Sequence, residues 1–317
     1  MDTTTFGRTG LKVSVAGLGC GGFSRLGMGT GRSEDDAAAL VRRAFDRGVN
    51  LFDTAAAYGT EAAVGKGLAG VPRDQVVICT KGSIRHGKQR FGAADVLKSL
   101  ENSLRLLRTD HIDVYQLHGV PPELYDECKT EIAPALLRAR EQGKFRFLGI
   151  TETSPNDPRS TMLQRAAADG VWDSVMLAFH MMHQNARTAL LPLTRANSIG
   201  TLLMFAVRGI FARPERLKEA MRELAAKGEV PQALADSADP LGFLVHAAGA
   251  SSVTDAAYRF ARHEPGIDVV LFGTGDVAHM EANIASLLKP PLPEGDRRKL
   301  AELFGHLVGV GLDVPKG

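Results

Sequence analysis

Cysteine is scarce in this 317-residue chain: Cys20, Cys79 and Cys128 are odd in number, far apart and free of C-x-x-C spacing. That excludes a disulfide framework and a zinc ribbon, and a reducing compartment is the expectation. A dominant charge is lacking too, with 38 Lys+Arg against 36 Asp+Glu. No run of five or more basic residues occurs, so the sequence offers no footprint for nucleic acid. Apolar runs such as Leu202 to Val207 fall far short of the ~20 residues a membrane helix needs. The stretch from Met1 to Arg8 has no apolar core of the kind a signal peptide carries. A cytoplasmic protein without a membrane partner is expected. Low-complexity tracts and linkers are missing as well, which predicts one domain over residues 1–317.

What is present, 44% hydrophobic and 23% charged residues, fits an ordinary globular protein. Short apolar or β-branched runs recur: Val13 to Leu18, Val49 to Asp53, Val76 to Cys79, Ile112 to Leu117, Phe145 to Ile150, Ser174 to Phe179, Thr201 to Phe205 and Val269 to Phe272. Each reads as a strand, and stretches of helical period lie between them. Leu97, Leu100, Leu104 and Leu107 are spaced to share one helix face. Ser33 to Asp36 forms a capping box ahead of a helix from Ala37 to Arg47.

Eight nearly all-apolar strands alternating with helices predict a parallel sheet closed into a (β/α)8 TIM barrel. Thr4 to Phe6 and Leu11 to Val13 flank the turn Gly7 to Gly10, an N-terminal β-hairpin placed to plug the bottom of the barrel. The interval between strands 7 and 8 is about twice the others. It holds helical stretches at Glu215 to Lys227, Leu241 to Ala248 and Thr254 to His263. These read as a helical insertion, with Arg208 to Pro265 expected to form a loosely packed, mobile cover over the mouth.

In this fold the active site gathers where strands end and βα loops begin. Asp53 ends strand 2 and Tyr58 follows it; Lys81 ends strand 3; His118 ends strand 4. A phenol is a poor proton donor near neutrality, but a neighbouring cation pulls its pKa down. Lys81 supplies that cation, Asp53 keeps the lysine charged and aimed, and His118 is suited to hold a substrate carbonyl. The cluster therefore suggests carbonyl chemistry. Taken singly, Asp53 could be a helix cap, Lys81 a solvated charge, Tyr58 packing and His118 a satisfied histidine; four in phase on successive strands argue otherwise. Gly17 to Gly22 matches G-x-G-x-x-G after a strand, but loop residues continue to Ser33 where a dinucleotide fold needs a helix to open. His180 and His183 have no third ligand spaced nearby, and no metal is expected there.

Gly48 to Gly59, with Asp53 and Tyr58 inside it, and Leu100 to His118 resemble the second-strand and third-helix to fourth-strand signatures of the aldo-keto reductase family. The resemblance implies a (β/α)8 barrel that uses NADPH to reduce aldehydes and ketones. It implies Tyr58 as acid, Asp53 and Lys81 tuning it, and His118 orienting the carbonyl. Gly143 to Thr151 resembles the family's fifth strand, where the usual Ser-Asn pair reads Thr151-Glu152. Met176 stands where the sixth strand usually carries a glutamine for the nicotinamide amide. Val270 to Asn283 resembles the adenosine-phosphate segment, with Gly273, Thr274 and Asn283 matching and His279 in place of a common arginine.

The cofactor contacts implied are Gly21, Thr151, Glu152, Met176, Phe205, Gly273, Thr274, Gly275, His279 and Asn283. NADP(H) is the expected cofactor, with NAD(H) as the alternative, and the expected partner is a small carbonyl or alcohol. Two other functions stay open: an NAD(P)-dependent sugar dehydrogenase working mainly in the oxidative direction, and a cofactor-binding redox-sensor subunit that turns over slowly.

Overall fold

The structure, a computed structural model, describes residues 1–312, so the last five residues of the expected 1–317 domain lie outside the described residues. Strands β1 (Thr3–Thr5) and β2 (Lys12–Ser14) pair antiparallel. The barrel strands follow as β3 (Ala16–Gly19), β4 (Leu51–Asp53) and β5 (Val77–Ser83). A two-stranded hairpin, β6 (Arg85–His86) and β7 (Gln89–Arg90), interrupts them. The barrel continues with β8 (Ile112–Val120), β9 (Phe145–Glu152), β10 (Ser174–Ala178), β11 (Gly200–Met204) and β12 (Val269–Phe272). These eight strands are parallel, neighbour one another in chain order and close into a barrel as expected.

Side chains alternate across each strand, which gives the barrel two apolar faces. Outward residues such as Phe52, Ile78, Tyr115, Leu148 and Val175 pack against the helices. Inward residues Leu51, Val77, Cys79, Val114, Met176, Leu202 and Val269 form a separate cluster with Phe6, Leu11 and Val13 of the N-terminal hairpin. The hairpin is thus the plug the sequence predicts. Phe6 is fully buried, and its ring occupies the space that a side chain at Gly200 would need.

The Ser33 capping box is present, with Asp36 N donating to Ser33 Oγ and Ser33 N to Asp36 Oδ2, and it opens the helix Glu34–Asp46. The helix Ala93–Leu107 buries Val96, Leu100, Ser103 and Leu107, with Leu97 and Leu104 at the edge of that stripe.

Three expectations need correction. Val13 to Leu18 is not one strand: the chain turns at Val15, whose N–H donates to Asp2 O, and only Ala16–Gly19 joins the barrel. Leu241 to Ala248 holds a single turn of 3-10 helix, Gly242–Leu244, rather than a longer helix. Thr254 to His263 is no part of a loose cover. The helix Val253–Arg262 buries Ala256, Ala257, Tyr258, Phe260 and Ala261, and Phe260 stacks on Phe179 at 5.5 Å. It is the barrel's own seventh helix, so the insertion proper ends before it. Among the described residues no helix is long and apolar enough to cross a membrane.

Candidate active site

Register sets the site. Asp53 pairs with Cys79, Lys81 with Gln116, and Ser83 with His118. Cys79 and Val114 belong to the inward cluster, so by alternation Lys81 and Ser83 on β5, and Gln116 and His118 on β8, point inward above it. The apolar plug below and the polar ends above are two layers of one interior.

Lys81 is fully buried, and its Nζ donates to Asp53 Oδ1 at 2.8 Å, Asp53 Oδ2 at 2.7 Å and Thr54 O at 2.7 Å. All three ammonium protons are thereby taken up. Gln116 Nε2 lies 3.3 Å from Asp53 Oδ1. Burial works against the lysine's charge, but Asp53 and Tyr58 outweigh it and raise its pKa above the ordinary value. The Lys81 Nζ sits 5.0 Å from the centroid of the Tyr58 ring.

Tyr58 is carried on a single 3-10 turn, Ala56–Tyr58, just past β4. Its hydroxyl lies 3.3 Å from His118 Nε2, and the two rings meet edge to face at 5.3 Å. Gly21 seats the phenol: a Cβ there would stand 2.4 Å from the Tyr58 ring, so any side chain would expel it. Lys81 does pull the phenol's pKa down, but burial pushes harder and the net direction is up. The expected lowering is therefore corrected, and Tyr58 remains a protonated donor. Burial and then Lys81 push the His118 imidazole down to about 3, so the ring is neutral at working pH.

The expected cofactor residues fall into two groups. At the ends of β9, β10 and β11, Thr151 Oγ1 accepts from Gly119 N at 2.7 Å, and Glu152 is buried with Oε1 accepting from Ala178 N at 2.7 Å and Ser154 Oγ at 3.0 Å. The other oxygen, Glu152 Oε2, is buried with no hydrogen-bond partner among the described residues. Burial raises this carboxyl to about 7 against the bonds it accepts. Met176 belongs to the inward apolar cluster and offers packing in place of an amide. Phe205, just past β11, has φ +73, a conformation that bulky residues adopt only under constraint, and the Arg208 guanidinium covers its ring at 4.1 Å.

The second group gathers past β12. The loop Gly273–Gly275 runs so close to the β3 loop that a Cβ on Gly275 would lie 2.4 Å from Gly27 Cα. Asp276 caps the helix Val277–Leu287 by accepting from His279 N at 2.9 Å, and Thr274 Oγ1 accepts from Asp276 N at 3.0 Å. His279 is exposed on the first turn, and Asn283 is half-buried one turn later. His180 and His183 are buried elsewhere, each with Nδ1 accepting a backbone N–H, from Met182 and Gly309.

Sequence reasoning missed Gln116 and the Thr54 carbonyl. Gln116 stands two residues before His118, so the two-residue strand period would have placed it on the same face. A carbonyl leaves no signal in side-chain identity.

The aldo/keto reductase family model matches residues 17–303. The chain is 30% identical to the L-galactose dehydrogenase of Arabidopsis thaliana, over 100% of this chain and 98% of that protein. It is 28% identical to the aldo-keto reductase YhdN of Bacillus subtilis, over 89% and 87% of the two chains. Among solved structures, the holo form of an aldo-keto reductase from Bacillus halodurans superposes with a TM-score of 0.74 at 23% identity, covering 96% of each chain. One from Klebsiella pneumoniae in complex with NADP and acetate gives 0.67 at 23% identity, covering 95% of each. With a parallel eight-stranded barrel and a family match across most of its length, the chain belongs to the aldo/keto reductase family and is an NAD(P)H-dependent oxidoreductase.

Proposed function

We propose that this chain reduces an aldehyde or ketone to an alcohol with NADP(H), using Tyr58 as the general acid. The carrying observation is the buried Asp53–Lys81 pair beneath the Tyr58 ring, whose hydroxyl meets a neutral His118. The nicotinamide cofactor supplies, when bound, the hydride that the carbonyl carbon takes up. Tyr58 delivers its hydroxyl proton to the carbonyl oxygen, and the fixed Lys81 charge stabilises the phenolate left behind. Neutral His118 donates a hydrogen bond to the same oxygen and so orients the carbonyl. Asp53 positions Lys81, and Gln116 positions Asp53.

The residues present fit such a cofactor. Glu152 Oε2 is a buried polar atom at a strand end with no partner among the described residues, a ready contact for an amide. Thr151, which pairs with Met176 across β9 and β10, together with Phe205 and Gly21 would complete that contact. Gly273, Thr274, Gly275, His279 and Asn283 would hold the adenosine phosphate. The NADP held by the Klebsiella pneumoniae protein supports the choice of NADP(H).

A second reading, sugar oxidation, is favoured by the full-length likeness to L-galactose dehydrogenase. In that direction Tyr58 acts as base, a role its raised pKa opposes. The test supplies aldehydes with NADPH or NADH, and aldoses with NADP+ or NAD+, and follows cofactor absorbance. Repeated turnover of an aldehyde is the expected result. A single turnover per bound cofactor would fit the redox-sensor reading, and faster aldose oxidation the sugar-dehydrogenase reading.

A further inference from the structure

Lys81 pairs with Gln116, Gln116 with Gly149, Gly149 with Ser174 and Ser174 with Gly200, one row across five neighbouring strands. All five positions face inward. Lys81 and Gln116 stand above Cys79 and Val114, and Ser174 lies two residues before Met176, which belongs to the same inward cluster. A Cβ on Gly200 would meet the Phe6 ring of the plug. The row therefore runs through the barrel interior from the buried ion pair to the hairpin.

Gly149 lets its two neighbours meet. A Cβ there would stand 2.5 Å from Ser174 Oγ and 2.8 Å from Gln116 Cγ, so both side chains close over the glycine and any larger residue would part them. Both side chains are fully buried, and neither Ser174 Oγ nor Gln116 Oε1 has a hydrogen-bond partner among the described residues. The two atoms are complementary: a hydroxyl donates, whereas an amide oxygen only accepts. Left unpaired, each would carry the cost of a buried polar group stripped of water.

The orientation of the Gln116 amide matters to the reacting centre. Both Asp53 oxygens accept from Lys81, and Gln116 Nε2 adds a donor 3.3 Å from Oδ1. Turned over, the amide would set its oxygen against the carboxylate. Burial pushes the Asp53 carboxyl up, and Gln116 helps Lys81 to hold it down. A donor on the far side of the amide keeps Nε2 toward Asp53. Ser174 stands on that side, since the row places Gln116 between it and Lys81.

We propose that Ser174 is a positioning residue for the proton donor. Its hydroxyl, turned toward Gln116 Oε1 or joined to it by one water, fixes the amide that fixes Asp53 and, through Asp53, the Lys81 charge beneath Tyr58. What the row serves rests on the carbonyl-reducing reading above; the hydrogen bond itself does not.

The test uses the wild type, Ser174→Ala, Gln116→Met and the double variant, each followed by urea unfolding and by reduction of 4-nitrobenzaldehyde with NADPH saturating. Ser174→Ala should lower kcat about 5-fold, the loss of one hydrogen bond, with the KM of the aldehyde nearly unchanged. In the Gln116→Met background the same change should have almost no effect on kcat, and a smaller effect on stability than in the wild type. Equal effects in the two backgrounds would overturn the link, and a wild-type kcat in Ser174→Ala would overturn the positioning role. If the wild type does not reduce the aldehyde, the carbonyl-reducing reading fails on its own. Unfolding then decides the hydrogen bond, a smaller loss in the Gln116→Met background supporting it and an equal loss rejecting it.

Discussion

Lys81 Nζ donates to both carboxylate oxygens of Asp53, at 2.8 and 2.7 Å, with both side chains shut away from solvent. Removing either partner strands a charge inside the barrel, which typically costs on the order of 3–5 kcal/mol, whereas removing both leaves no charge behind. Asp53→Asn and Lys81→Met should each lower stability by about that amount, and the double variant should recover part of the loss. Urea unfolding of the four proteins measures this; fully additive losses would mean that the pair does not act as a unit.

Glu152 predicts how stability changes with pH. Burial lifts its carboxyl from the ordinary 4.5 to about 7 in the folded protein. The folded value is the higher one, so its contribution is complete below about 4.5 and drains away as pH climbs through about 7. Glu152→Gln keeps a side-chain oxygen for Ala178 N and Ser154 Oγ but cannot ionise. The variant should match the wild type near pH 4 and exceed it at pH 8 by on the order of 2–3 kcal/mol. Parallel stability curves across that range would show that Glu152 does not titrate as described.

His279 stands exposed on the helix turn beside the Gly273–Gly275 loop, where an arginine would offer a permanent charge and a planar fork. His279→Arg should tighten NADPH binding several-fold while leaving NADH binding nearly unchanged, and the gain should shrink with added salt. Fluorescence titration of both cofactors checks it. Equal gains for NADPH and NADH would place the 2′-phosphate elsewhere.

Much of this architecture was legible because the strands are apolar on both faces and end in residues whose polarity breaks the run. Asp53, Lys81 and His118 announce themselves in that way. Elsewhere the pattern misleads. Val13 to Leu18 holds one polar residue, Ser14, which fits the alternation of a strand as well as it fits the turn at Val15, where its Oγ donates to Ala16 O at 2.8 Å. The β6–β7 hairpin has strands of two residues and no apolar alternation, too short for any periodicity to register. The helix Val253–Arg262 looks like a charged surface helix, yet Arg259 and Asp255 are buried. Arg259 donates to the carbonyls of Gly249, Pro290 and Pro291, and Asp255 takes Lys289 at 3.0 Å. Charge on a helix face signals solvent only when no partner waits on the other side. The direction of the Tyr58 shift depends on burial weighed against one cation, a balance set by packing that no local sequence carries.

The central claim is that Tyr58 supplies the proton, and Tyr58→Phe tests it most directly. The ring stays, so its seat against Gly21 and its place over Lys81 are kept while the donor is removed. We predict that kcat for aldehyde reduction falls by about 10²- to 10⁴-fold with the dissociation constant for NADPH nearly unchanged. Turnover close to that of the wild type would contradict the account.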